Sequence, residues 1–281
     1  MKLLVVGDFH GEIQNKLKKI VIQDKVDAVV SNGDYFPFHY RDLWFKHCYQ
    51  TETELWEVIG KKKYRALIKK DLKMGELAIR ELNSLPVPIF TVYGNVDYTR
   101  TNDSVDLPKL RRKKFWAWDN QDFFSPLLKK YKNIKRVDYR AAPFNEIVFL
   151  GAYGGSSPGK PMSKSFRNHK KKLDSLFRST GLKYGKPIIF LSHNVPFNTL
   201  LDKIGKMAHV AVRGKHYGSK LIRRIIDQHQ PLIHIGGHIH EGRGIQRIGK
   251  TLCINPGSIH EGYYALVEIN GKKVRVKLKK M

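Results

Sequence analysis

At 281 residues the chain is long enough to bury a substantial core as one domain without a disulfide or metal staple, and 41% hydrophobic with 27% charged residues excludes a fibrous or disordered polymer. The charge balance is unusual: 52 Lys and Arg against 25 Asp and Glu give a formal +27, which concentrates polyanions at the surface. Thermophilic adaptation raises Glu together with Lys, and here the acids lag, so a polyanionic partner such as nucleic acid is favoured over drift in composition.

In chain order, KLLVV (2–6) is an apolar run that stops at Gly-Asp, and GEIQNKLKKIVIQ (11–23) places Ile13, Leu17, Ile20 and Val21 near helical period. DAVVSNGD (27–34) repeats the strand and its Gly-Asp ending, a long helical stretch covers 64–85, and VPIFTVYGNVD (87–97) is a third strand ending in a polar loop. This β-α-β-α-β order implies parallel strands. EIVFLGAYGG, KPIIFLSHN and QPLIHIGGHIH are three more apolar runs that stop at polar turns. The tail, GIQRIG, TLCINPG, YYALVEIN and KKVRVKLKK, is cut by Gly-Lys, Pro-Gly and Asn-Gly and suits antiparallel pairing. Segments 35–60, 98–120 and 203–216 break the rhythm and read as insertions in a single domain spanning 1–281. The N-terminal apolar run is interrupted at Gly7 and Asp8, too early for a signal peptide or membrane span, so a cytoplasmic protein is expected. Cys48 and Cys253 lack CxxC spacing and read as plain thiols.

Ligands of open α/β sheets bind beyond the carboxyl ends of the strands, and the residues there are Asp8 and His10, Asp34, Asn95, His193, and His238 and His240. Any one of them reads as a turn or a structural histidine. Together, two carboxylates, one amide oxygen and four imidazoles form a donor set for first-row divalent ions, with no thiolate to impose a closed zinc site. Seven donors are too many for one ion.

GDFHG, NGD, GNVD, LSHN and GGHIH, in this order over residues 7 to 258, resemble the calcineurin-like metallophosphoesterase superfamily, and INPGSIHEGYYALVEI is similar to the C-terminal region of its small phosphodiesterase branch. The resemblance implies a four-layer α-β-β-α sandwich with two mixed sheets. It implies two divalent ions, Mn²⁺ first with Fe²⁺, Ni²⁺ or Zn²⁺ as alternatives. Asp8, His10, Asp34 and His240 would hold one ion, and Asn95, His193, His238 and the bridging Asp34 the other. A hydroxide held between them would attack a phosphodiester of a nucleotide or nucleic acid. In the fullest form of the third motif a histidine follows the asparagine. Here Val96 takes that place, and Asp97 reads as a turn cap.

Outside this set, LRRKKFWAW interleaves Arg111, Arg112, Lys113 and Lys114 with Phe115, Trp116 and Trp118, a mixture that can neutralise phosphates and stack on unpaired bases or pack as a satellite core. SKSFRNHKKK adds a second basic cluster, and KKVRVKLKK alternates cations with apolar residues, as a basic stripe or as an edge strand guarded by lysines. His260, after the Asn-Pro-Gly-Ser loop, is a candidate for contact with substrate. So are His39, His209 and His216, although each reads better as exposed or structural. His234 sits inside an apolar run and reads as a buried, hydrogen-bonded histidine. Two functions remain open: a metal-dependent phosphoesterase, or a protein of the same fold that binds RNA, a ribonucleoprotein or a protein partner.

Overall fold

The computed structural model describes residues 1–14, 16–49, 51–98, 116–152, 154, 161, 163–205, 210 and 213–281. Among them are the strands β1 (Lys2–Val6), β2 (Ala28–Ser31), β3 (Ile89–Thr91), β4 (Ile134–Arg136), β5 (Ala141–Phe144), β6 (Ile147–Gly151), β7 (Ile188–Asn194), β8 (Ile233–Gly237), β9 (Gly244–Ile248), β10 (Thr251–Asn255), β11 (Tyr263–Asn270) and β12 (Lys273–Lys280). They build two six-stranded mixed sheets, in the orders β12-β11-β1-β2-β3-β4 and β5-β6-β7-β8-β10-β9. In the first sheet β1 to β4 are parallel and β11 and β12 are antiparallel additions. In the second, β6, β7, β8 and β10 are parallel, flanked by antiparallel β5 and β9.

Strands buried on both faces need apolar residues at every position, and KLLVV shows how they are used. Leu3 and Val5 point between the sheets, where they meet Phe90, Phe149, Ile189 and Ile235, while Leu4 and Val6 point outward under helices. Phe90 and Phe149 stack across the sandwich with centroids 4.2 Å apart. The first sheet is covered by α1 (Leu17–Gln23), α4 (Lys61–Asn83) and α5 (Phe124–Leu128), the second by α6 (Lys164–Tyr184) and α7 (Lys220–His229). The result is the four-layer α-β-β-α sandwich. Helix α4 buries Tyr64, Ile68, Asp71, Gly75, Ala78, Ile79 and Leu82, a stripe of alternating three- and four-residue steps.

Two elements depart from expectation. TLCINPG pairs with β9 in an antiparallel hairpin, but its other edge runs parallel to β8, because β10 is apolar on both sides and is enclosed in the sheet. Segment 35–60 folds into two short helices, α2 (Arg41–His47) and α3 (Leu55–Ile59), which pack on the start of α4 through Tyr40, Leu55, Tyr64 and Ile68. Lys203 and His216, the first and last residues of segment 203–216, form an antiparallel bridge. Among the described residues no helix is long and apolar enough to cross a membrane.

Candidate metal centre

The parallel strands of both sheets end at one edge of the sandwich. Asp8 and His10 follow β1, Asp34 follows β2, Asn95 follows β3, His193 lies at the end of β7, and His238 and His240 follow β8. Ligand atoms of Asp8, His10 and His240 lie within 4.8 Å of one another, as do those of Asp34, His193 and His238, so each group could hold an ion. Asp8, His10, Asp34 and His238 have positive φ of 53°, 47°, 56° and 69°. Side chains disfavour this left-handed backbone, Asp and His less than most, and here it turns the chain sharply back at the strand end.

The loops are tied to one another. Phe9 and His10 N–H donate to Asp34 O at 2.8 and 3.0 Å, Asp8 N–H donates to Gly33 O at 2.9 Å, and Ser258 Oγ donates to Asp8 O at 2.7 Å. Close approach also requires missing side chains: a Cβ on Gly94 would lie 2.0 Å from Asp34 Oδ1, and one on Gly237 2.5 Å from Asp8 Oδ2. Asp97 does more than cap a turn. Its buried carboxylate accepts from Gly94 N at 2.7 Å within its own loop and from Asp34 N at 2.9 Å and Tyr35 N at 2.6 Å in the neighbouring one. It thereby fixes the backbone that carries Asp34, while Val96 N–H donates to Asp34 Oδ1 at 3.0 Å.

Hydrogen bonding decides where the lone pairs point. His193 Nδ1 lies 2.9 Å from the carbonyl of Asn32 and must donate to it, so Nε2 of the neutral ring carries a lone pair. That nitrogen faces Asn95 Oδ1 at 2.7 Å, His238 Nδ1 at 3.2 Å and Asp34 Oδ2 at 3.4 Å. Acceptors converging on one point fit a cation. Burial above all pushes His238 down to about 3, and burial also lowers His10, which favours the neutral imidazoles that ligation requires. In the other group burial opposes charge on both Asp8 and His240, but their 3.6 Å contact outweighs it, holding Asp8 at about 2 and lifting His240 to about 9. A divalent ion there would take the place of the proton on His240. His10 Nε2 and His240 Nε2 face each other at 3.3 Å.

A family model described as calcineurin-like phosphoesterase matches residues 1–242. The chain belongs to this family. It is also 40% identical over 124 residues to an uncharacterised protein of Methanocaldococcus jannaschii, a match covering 43% of this chain and 52% of the relative, so the chain spans about half the length of the curated relative it matches. Among solved structures, this calcineurin-like phosphoesterase chain is similar to TT1561 of Thermus thermophilus, at 16% identity and TM-score 0.56 over 98% of this chain and 97% of that one. It is also similar to a dimetal phosphatase from Danio rerio, at 13% identity and TM-score 0.55 over 100% and 96%. At these identities the likeness concerns the fold.

The other candidate residues sit around this calcineurin-like core. Trp116 and Trp118 are half-buried with Trp56 and Tyr64, and Arg65 stands 5.0 and 5.2 Å from their ring centroids. They thus have packing partners within the chain, which is the satellite-core reading. Arg111, Arg112, Lys113, Lys114, Phe115 and His209 lie outside the described residues. His260 is exposed, its ring centroid 6.3 Å from that of His10 and its Nδ1 3.3 Å from Glu12 Oε2, so it borders the centre. His39 and His216 each lie 2.7 Å from a buried carboxylate, Asp71 and Asp202. His234 is buried, with Nε2 2.7 Å from Ser192 Oγ. Sequence reasoning missed two supports, Asn32 and the reach of Asp97. Asn32 stood in the NGD motif, but nothing in a one-dimensional pattern indicates that its carbonyl orients a histidine 161 positions away.

Proposed function

We propose that the chain is a dinuclear-metal-dependent phosphodiesterase acting on a nucleotide or nucleic-acid phosphodiester. The observation that carries this reading is the convergence of ligand atoms in two adjacent groups, Asp8, His10 and His240 beside Asp34, His193 and His238. Asp34 is assigned as the bridge on the family resemblance, and its negative charge favours the protonated forms of His10 and His240 in the other group. Bound there, two divalent ions, Mn²⁺ foremost, would supply Lewis acidity and neutralise charge for an in-line displacement at phosphorus.

The chain's own residues set the conditions. Asn32 holds His193 in the tautomer whose Nε2 is free. Asp97 and the Val96 N–H fix the position and rotation of the Asp34 carboxylate. Rigid mounting of this kind is what lets charge stabilisation act without reorganisation. The Val96 side chain has no proton to give, so a leaving group near it departs with little acid assistance, which favours diesters with low-pKa leaving groups. The net charge of +27 favours a phosphate-rich substrate.

The test is side-by-side hydrolysis of bis(p-nitrophenyl) phosphate, p-nitrophenyl phosphate and short single-stranded RNA with added Mn²⁺. The diester should be cleaved in preference to the monoester. A folded, metal-loaded protein that cleaves none of the three would defeat the proposal and leave the binding reading in its place.

A further inference from the structure

Strand β12 forms one edge of the first sheet, and its two faces differ in character. Val274, Val276 and Leu278 pack on the core between the sheets. Lys273, Arg275 and Lys277 are exposed on the outer face and Lys279 is half-buried there. Among the described residues none of these four cations has an ion-pair partner, and the one acid on the adjoining face of β11, Glu268 opposite Arg275, lies 3.7 Å from Lys2 Nζ. Helix α1 covers β11 by packing Leu17 and Val21 with Tyr264 and Leu266, which leaves the outer face of β12 as an open shelf beside the helix.

The shelf has a direction. β12 is antiparallel to β11, and β11 to β1, so β12 runs the same way as β1 and finishes at the edge where Asp8 and His10 lie. Its end is fastened to the loops of the centre. Met281 N–H donates to Gly262 O at 3.0 Å, and Arg243, three residues after His240, donates through Nη2 to Lys279 O at 3.2 Å. Arg243 and Lys280 both stand against the Tyr263 ring, 4.8 and 4.7 Å from its centroid.

Alternate residues of a strand repeat every ~6.6–6.8 Å, close to the spacing of successive phosphates along an extended nucleic-acid strand. We infer that the outer face of β12 is a track for the sugar-phosphate backbone of a single-stranded nucleic acid, leading it toward the metal centre. Delivery of a scissile phosphodiester rests on the phosphodiesterase reading, whereas binding does not. A row one cation wide matches one line of phosphates rather than the two of a duplex. A membrane-binding face would add large exposed apolar side chains, and β12 has none. Guarding a sheet edge against aggregation calls only for some charge on it, not for an unpaired row that ends at the centre.

The test compares the wild type with two triple variants of equal charge change: Lys273→Gln, Arg275→Gln, Lys277→Gln on β12, and Lys171→Gln, Arg178→Gln, Lys183→Gln on α6. The probe is a labelled 20-nucleotide phosphorothioate oligothymidylate, titrated by fluorescence anisotropy over a series of salt concentrations. The β12 variant should lose roughly tenfold or more in affinity at low salt, and its slope of log affinity against log salt should flatten by about 0.7 per contact, roughly 2 in all. The α6 variant should match the wild type, and both variants should hydrolyse bis(p-nitrophenyl) phosphate at the wild-type rate. Equal losses in the two variants would mean that only net charge acts, and an unchanged β12 variant would remove the strand from binding; either result overturns the track. So would anionic vesicles that bind as tightly as the oligonucleotide and compete with it. A wild type that binds the oligonucleotide through β12 but cleaves no diester would overturn the enzyme reading alone.

Discussion

Asp34 and His234 are both buried and titratable, and they are put to opposite uses. The Asp34 carboxylate is held in place by Asp97 and the Val96 N–H, so, with Asp34 as the proposed bridge, Asp34→Asn should keep the shape and lose the charge on which both ion sites would depend. Metal analysis of the purified variant is expected to fall well below two ions per chain. A variant that retained both at wild-type affinity would remove Asp34 from the bridge. His234 has no ion to serve. Burial pushes it down to about 3, from an unfolded value near 6.5, so between those pH values the unfolded chain binds a proton that the folded one does not. Its neutral burial costs nothing above pH 6.5, and stability is lost as pH falls toward 3, by up to roughly 1.4 kcal/mol per pH unit. Denaturant titrations of the wild type and His234→Gln from pH 7 to pH 4 should show the variant's acid limb shallower by about that amount. Parallel limbs would mean that His234 is protonated in the folded chain.

The strands carry the sandwich through a small number of large contacts between the sheets. Phe90 on β3 and Phe149 on β6 are buried and stacked at 4.2 Å, so Phe90→Ala should cost about 3–5 kcal/mol, read as a lower denaturant midpoint. A loss under 1 kcal/mol would show that the two sheets close up around the gap. How much of this was legible in advance follows from what each element needs. Strands β1, β2, β3, β6, β7 and β8 are buried on both faces and stand out as apolar runs, broken in β8 only by His234, so their carboxyl ends, and with them all seven metal-ligand candidates, could be placed from the chain alone. β4 and β5 could not: IKR and AAPF are short edge pieces whose partners, not their composition, make them strands. α2 was hidden because its described residues include none that is buried; its apolar side chains lean on neighbouring aromatics instead of forming a stripe. The second hydrogen-bond partner of β10 was beyond reach for a related reason: Gly-Lys announces the hairpin to β9, while the parallel contact with β8 is a property of the assembled sheet.

For the molecule as a whole, the candidate centre gathers polar groups from both sheets, with β1, β2 and β3 contributing from one and β7 and β8 from the other. An ion that binds only the folded form stabilises it by about 2.7 kcal/mol at a hundred times its Kd. In a chain of this size that is worth about 5 °C or more per ion. Melting in excess EDTA against 0.1 mM Mn²⁺ should differ by at least that much, and superimposable melts would mean that the groups hold no such ion when folded. The backbone at Asp8, His10, Asp34 and His238 bears on any attempt to improve the protein in the laboratory. Glycine adopts their left-handed angles without the steric strain, about 1 kcal/mol at each, although it gives up more entropy on folding. If these residues hold ions as proposed, a library screened for heat resistance in a chelating buffer would be rewarded for erasing ligands wherever the relief of strain exceeds that cost. On the proposed function such survivors would be inert, and a selection that demanded bound metal from the first round would keep both properties.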